Sequence, residues 1–380
     1  YLFVRPILRL GAQRPLQLAD LPPIPCRDRA PVRVARIADA WEVERQRAAR
    51  IGRAPSVLRA LWSSHSVDLI VAGVLSSLEV GTILAQPLVM RPFVRWLGDE
   101  EAPVHEGVAL ACGLAALTLA QAFMHHANFY ATMRCGWNIR IGMTGMIYRH
   151  LLSVSTASLR GKTAPDVAAL VSSDCQRFDL ALPFLHFAWL APLVLVAVSV
   201  LLVRLMGGGP AAAGVGVMLL LIFVQWRFSQ RFGAVRARTA RRTDARARAS
   251  AEVFAAMLSI KAYGWEEATR RHIGSLRDAE AAEVLVAHTM RGINNGLYFA
   301  APAAASLALF GTHRLINGVD DGANSLHIDT AYSALALLNV LRLSIGKHLQ
   351  RASEFLPEAL VAARRMQRFL VLPATQSSYV

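Results

Sequence analysis

Cysteine is scarce in this 380-residue chain, and its four copies, Cys26, Cys112, Cys135 and Cys175, stand far apart. None falls in a Cys-x-x-Cys pair or a Cys/His metal spacing, so neither a thiolate metal site nor a redox pair is expected, only buried free thiols. Acidic residues are also few, 26 against 41 basic ones, giving a formal net charge of +15. No cleavable leader is recognisable, and a start at Tyr1 instead of Met is what a piece of a longer product would show. Proline is missing from residues 211–301, and glycine is sparse between 234 and 290, so nothing local stops a very long helix there.

Apolar residues, 54% of the chain, are gathered into long runs instead of being spread at core spacing. A bilayer core about 30 Å thick takes roughly 20 apolar helical residues to cross, and peptide groups without water must bond within the segment. Six such spans are predicted, over about 68–97, 104–137, 181–206, from 211 to about 225, 284–315 and 328–349, with a kink near Gln86-Pro87. The basic excess raises nucleic-acid binding as a rival. Its distribution argues against that: Arg and Lys collect on alternate sides of the spans, as the positive-inside rule requires. The connections at 98–104, 207–210 and 317–327 are short and acidic or Gly/Pro-rich, whereas the two on the basic side are long and helical. Both ends of the chain then lie on the basic, cytosolic side. Roughly 30 helical residues beyond a span reach about 45 Å past the bilayer, a lever that calls for something at its end. Ahead of the first span, Pro55 opens a short helix with Leu58, Leu61 and Trp62 on one face and Arg59 on the other, suited to the membrane surface or to an ordinary soluble helix.

Two inner segments carry the most information. Gly161-Lys162-Thr163-Ala164-Pro165-Asp166 precedes a helix in which Thr163 suits the N-cap and Asp166 answers it three positions on. Within that helix, Asp174 and Arg177 stand at pairing distance. The second segment, Ile260-Lys261-Ala262-Tyr263-Gly264-Trp265-Glu266, interrupts an amphipathic helix with a glycine and two aromatics, a composition suited to docking in a partner's groove.

These segments resemble the transmembrane domain of ABC exporters, closest to the C subfamily, the multidrug-resistance-associated proteins. Leu170, Ser172, Asp174, Arg177 and Phe178 match that family's first cytosolic tip, and Ile260, Lys261, Tyr263, Trp265 and Glu266 match its second. Arg242, Asp244 and Arg246, the run Arg364-Arg365-Met366-Gln367-Arg368-Phe369-Leu370, and the N-terminal Arg14–Leu21 and Asp39–Glu42 stretches are similar in the same order along the chain. One departure is plain: where the family has a proline-bearing stretch after Leu341-Arg342, this chain reads Leu343-Ser344-Ile345-Gly346-Lys347.

Ionisable groups inside a span usually face a cavity or a partner. Arg342, beside Asn339, is the leading candidate for contact with an anionic substrate; the competing reading is a helix–helix hydrogen bond or a salt bridge to Glu79. His125, His126 and Asn128 lie in the second span, and adjacent histidines point too far apart to share a metal, so no metal site is expected. Asn294 and Asn295, near the inner end of the fifth span, either face the pathway or cap a kink, and Arg91 and Arg314 near span ends are read as snorkelling. The candidate pathway set is Arg342, Asn339, Asn294, Asn295 and His125. The set for coupling to a nucleotide-binding domain is Asp166, Leu170, Asp174, Arg177, Phe178, Lys261, Tyr263, Trp265 and Glu266.

The resemblance implies an all-α, six-helix transmembrane domain of the type I ABC exporter with long cytosolic helical extensions. Its expected divisions are an arm and interfacial elbow over 1–65, the spans over 66–350 and an exit helix over 351–380. It further implies ATP-driven export of organic anions, conjugates or drugs by alternating access, in the plasma or vacuolar membrane, with both termini cytosolic. Implied partners are the lipid bilayer, nucleotide-binding domains carrying Mg-ATP, and a second transmembrane domain in cis or as a dimer. No catalytic site is expected in this chain: Thr156 stands where a Gly-x-x-x-x-Gly-Lys-[Ser/Thr] loop needs its leading glycine, and no Leu-Ser-Gly-Gly-Gln signature occurs. A channel or channel regulator on the same scaffold is the alternative; a membrane-embedded enzyme would need clustered His, Cys or carboxylates that the sequence does not offer.

Overall fold

The computed structural model describes residues 4–155, 164–318 and 326–373, apart from the side chains of residues 164–166 and 229. Twelve α-helices follow in order among these residues: α1 Arg5–Gln13, α2 Ala30–Arg50, α3 Val57–Leu97, α4 Val104–Ser153, α5 Ala164–Ala169, α6 Cys175–Ala181, α7 Phe187–Met206, α8 Gly208–Ala255, α9 Met257–Ala262, α10 Glu266–Asn317, α11 Ile328–Leu343 and α12 Gln350–Leu370. Two wide π stretches bridge neighbours, Leu170–Asp174 between α5 and α6, and Ser344–Leu349 between α11 and α12.

Among the described residues, five helical runs are long and apolar enough to cross a membrane: Val57–Leu97, Val104–Ser153, Val167–Met206, Gly208–Ala255 and Ile328–Leu370. The segment expected as the fifth of six spans, 284–315, is helical throughout α10 but less apolar than the rest. His288, Arg291, Asn294 and Asn295 occupy its first turns, and small alanines around Pro302 replace large aliphatics. At 1.5 Å per residue the 50 residues of α4 extend roughly 75 Å, and the 48 of α8 roughly 72 Å. Both far exceed a hydrocarbon core of about 30 Å, so the spans continue as helical rods, as expected.

The first span differs from expectation in where it breaks. Pro87 and Pro92 lie inside α3, yet its only non-helical backbone is at His65 (φ −126°, ψ 19°). That break separates the elbow, 57–64, from the span. His65 is fully buried there, with Ser64 Oγ 2.8 Å from its Nδ1. In the α7–α8 hairpin the turn rests on Gly207 at φ +85°, a conformation a side chain would strain.

The chain forms two compact units. One comprises Tyr1–Ser76, Met124–His186 and Ala352–Val380; the other comprises Ser77–Phe123 and Phe187–Arg351. The core of the first gathers Ile37 and Trp41 of α2, Val57 and Leu61 of the elbow, Met143 and Ile147 of α4, Phe178 of α6, and Met366 and Phe369 of α12. Burying each large aliphatic or aromatic side chain favours the fold by about 1.5–3 kcal/mol. Glycines let α2 approach α4: a Cβ at Gly142 would stand 2.5 Å from Ile37 Cδ1 and 2.9 Å from the Arg33 carbonyl oxygen, and one at Gly145 would overlap Val34. Asp28 closes this junction by accepting from Arg33 at 2.6 Å and Arg134 at 2.8 Å. In the second unit α8 and α10 run along one another, with α7 and α11 packed beside them. A Cβ at Gly214 would lie 2.9 Å from Leu309 Cβ, the close approach that small residues permit between membrane helices.

Candidate functional site

Arg342 sits on α11, two residues before that helix widens into the π stretch Ser344–Leu349. The widening falls on the stretch Leu343-Ser344-Ile345-Gly346-Lys347 that the sequence singled out. Arg342 is half-buried, with its guanidinium carbon 4.9 Å from the centre of the Tyr298 ring and 5.7 Å from that of Phe299. Gly346 makes room for this arrangement: a Cβ there would stand 3.3 Å from Tyr298 Cε2. No acceptor reaches the buried Nε of Arg342, and among the described residues its guanidinium meets aromatic rings instead of a carboxylate. The expected alternative of a salt bridge to Glu79 is therefore not what the structure contains; Glu79 is itself buried.

Asn294 lies one helical turn before Tyr298 on α10, and its buried Oδ1 also finds no donor. Asn295 and Asn339 are exposed. His125 belongs to the other compact unit, where its ring is 4.6 Å from Phe129. One turn on, Asn128 is fully buried and accepts from Ser76 Oγ at 2.9 Å. Arg342, Asn339, Asn294 and Asn295 thus fall in one unit and His125 in the other. Tyr298, Phe299 and Gly346 were not picked out from the sequence, because aromatic and glycine residues in an apolar run carry no local mark of facing a cation.

The first candidate coupling tip is held by α12. Leu170 and Phe178 are buried in the core of the first unit. Asp174 and Arg177 do not pair with each other, as their spacing suggested. Asp174 is buried and accepts from Arg365 at 3.0 Å, while Arg177 donates to Glu358 at 2.6 Å. Both charges bond to α12 instead, Asp174 through Arg365 and Arg177 through Glu358, so the packing of that helix overrides the i, i+3 spacing. Asp166 lies in α5, with its side chain outside the described residues.

The second tip is the turn from α9 to α10. Gly264 reverses the chain at φ +65°. The Trp265 amide donates to the Ile260 carbonyl at 3.0 Å, and Tyr263 stacks on Trp265 with ring centres 5.0 Å apart. Lys261 pairs with Glu266 at 3.2 Å. The Glu266 carboxyl is held below its usual range, first by its own backbone N–H at the start of α10 and then by Lys261. Phe254, Leu258, Tyr263 and Trp265 are 74%, 85%, 70% and 57% exposed, a concentration of apolar surface at a chain reversal.

Behind that tip α8 and α10 are fastened by ion pairs. Glu280 accepts from Arg246 Nε at 2.5 Å and from Thr243 Oγ1 at 2.8 Å, and lies 3.3 Å from Arg277; Arg238 reaches Glu283 at 3.2 Å. The Arg246 and Thr243 hydrogen bonds hold the Glu280 carboxyl down at about 2. The other clamp joins α3 to α11, where buried Asp329 accepts from Arg91 at 3.1 Å and Arg95 at 2.9 Å. Arg91 therefore does more than snorkel.

Comparison with known proteins agrees with this architecture. The family described as ABC transporter transmembrane region matches residues 69–343. ATP-binding cassette sub-family C member 4 of Mus musculus is 30% identical over 375 residues, covering 97% of this chain, and the Homo sapiens protein of that name is 29% identical over 374. ATP-binding cassette sub-family C member 3 of Mus musculus is 24% identical over 383 residues, covering 95% of this chain. The chain spans 28% of the length of the first two relatives and 25% of the third.

Proposed function

The chain belongs to the ABC transporter transmembrane region family, and on that premise we propose that it forms the membrane half of an ATP-driven exporter of organic anions, conjugates or drugs. As a transporter membrane domain of this family it works with ATP bound by a separate nucleotide-binding domain. The lookalike Gly161-Lys162-Thr163 has Thr156 where a phosphate loop needs its leading glycine, and it lies outside the described residues. ATP supplies the driving closure; the residues here bind cargo and receive motion.

The observation that carries the reading is Arg342. A membrane-span guanidinium lying against Tyr298 and Phe299, with a buried Nε lacking an acceptor, is a cation prepared for an anion. Asn294 supplies a second unsatisfied polar atom one turn from Tyr298, and Asn339, Asn295 and His125 complete the proposed pathway. Engagement with the nucleotide-binding domain is assigned to the two tips. Asp166, Leu170, Asp174, Arg177 and Phe178 belong to the first, which α12 grips; Lys261, Tyr263, Trp265 and Glu266 belong to the second, whose exposed aromatics fit a groove. We assign residues 1–65 to the cytosolic arm and elbow, 66–350 to the spans and 351–380 to the exit helix, with both termini cytosolic in a plasma or vacuolar membrane and a second transmembrane domain completing the pathway.

Vesicle transport by the full-length protein tests this. Arg342→Ala is expected to raise KM for an anionic conjugate roughly tenfold, the scale of one lost charge-assisted hydrogen bond, with little change for a neutral substrate. Equal losses for both substrates would remove Arg342 from cargo recognition.

A further inference from the structure

Within the first compact unit, a cavity of about 280 Å³ opens beside the break in α3. Its walls are drawn from four places in the chain. Leu61 and Trp62 come from the elbow and Leu69 from the span beyond His65, so the break itself holds the two sides apart. Ile139 of α4 and Leu182, in the short Pro183 turn after α6, form the floor, and Ala359 of α12 closes the far side. Every lining side chain is apolar. Water entering such a space finds no hydrogen-bond partners, and an engineered apolar cavity of about 150 Å³ stays dry and admits hydrocarbon. Left empty, the walls forfeit dispersion contacts on every side.

The mouth identifies the occupant. Leu58, Trp62 and Leu360 line the opening and are themselves exposed. Beyond the break at His65 the same helix carries Val67, Ile70, Val71 and Val74, an exposed apolar stripe at helical spacing on a membrane span that also supplies Leu69 to the cavity wall. The cavity is thus continuous with the lipid-facing surface, and the indole at its rim suits the boundary between headgroups and hydrocarbon. With no charged or polar group on the walls, only an uncharged hydrocarbon portion of a ligand matches them.

We propose that this cavity binds one acyl chain of a bilayer phospholipid, inserted past Trp62 between the elbow, α4, the α6 turn and α12. The chain fills a void that the protein's own side chains leave, and it ties the surface elbow to the helix that leaves the last span. The site is separate from Arg342 and independent of which cargo is moved.

The test uses the full-length protein in phosphatidylcholine nanodiscs that contain a phospholipid with a diazirine at the end of one acyl chain. After irradiation and digestion, adducts are expected on peptides bearing Leu61, Leu182 and Leu360. Ala359→Phe, which fills the cavity from its far wall, is expected to reduce those adducts roughly tenfold, the scale set by a mis-sized group in an apolar pocket, while adducts at Val71 and Val74 persist. Equal labelling of the cavity peptides in both proteins would overturn the proposal, and so would labelling by a diazirine sterol but not by the phospholipid. Should Ala359→Phe not fold, Leu58→Gln at the exposed mouth takes its place: fewer adducts on the cavity peptides are expected, and unchanged labelling would overturn the proposal.

Discussion

Asp329 holds two arginines with one carboxylate while only 5% exposed, and Arg91 and Arg95 keep 41% and 67% of their side-chain surfaces open. Their exposure screens the pairing, so the cost of removing the acid lies below the roughly 3–5 kcal/mol of a fully buried pair and above the roughly 0–1 kcal/mol of a surface one. Asp329→Ala is expected to lower stability by about 2 kcal/mol, read as a reduced thermal midpoint in the same lipid or detergent; an unchanged midpoint would mean that Arg91 and Arg95 find other partners. Arg91 illustrates what a sequence conceals at this scale. Its position near a span end was legible, but its partner lies 238 positions later, where no local spacing points. Asp174 behaves in the same way: the i, i+3 neighbour looked like a partner, yet Arg365, 191 positions away, is the actual donor.

Between elements, the ion pairs of α8 and α10 make a fastening whose pH response has a definite sign. Glu280 titrates at about 2 in the folded chain against an ordinary 4.5, chiefly through the Arg246 hydrogen bond, then that from Thr243. A carboxyl depressed on folding stabilises fully above its unfolded value, and that stabilisation is lost as pH falls from about 4.5 toward about 2. Spin labels placed on α8 and α10 either side of this cluster are expected to show a fixed separation from neutral pH to about 5, and a broadening below about 4. Glu280→Gln should show the broadening at every pH; a distance independent of both acid and substitution would deny the cluster a fastening role. The α2–α4 junction offers a steric counterpart. Gly145→Leu drives a side chain into Val34, so α2 should lift from α4 and expose the buried Arg33 to trypsin, at a cost of about 1–3 kcal/mol for overpacking; unchanged protection would show that α2 is held elsewhere. The rods themselves were readable, since the bilayer forces long apolar runs and no proline stops residues 211–301. The break at His65 falls where Ser63-Ser64-His65-Ser66 interrupts the apolar run, at the boundary expected between elbow and spans, whereas the louder signal, Pro87, leaves the helix unbroken. The wide turn after Arg342 was visible only as a missing proline.

For the molecule as a whole, the proposed function has the chain convert motion received at the two tips into rearrangement of a path lined by Arg342; family membership and spans that continue as long rods support it. The tips differ in construction. Leu170 and Phe178 of the first are sunk in a core and its charges are tied to α12, whereas the second leaves Tyr263 and Trp265 stacked and open over a glycine turn. Two residue patterns in order single out both proposed tips in the sequence, but α10 shows the limit of hydropathy: a helix that carries polar residues in its first apolar turns is less conspicuous than its neighbours. The most direct measurement is the ratio of substrate moved to ATP hydrolysed by the full-length protein carrying Trp265→Ala. Hydrolysis at near-normal rate with transport reduced by roughly tenfold or more, the scale of losing a buried aromatic anchor, is the expected result. An unaltered ratio would contradict the claim that motion enters the membrane helices through this turn.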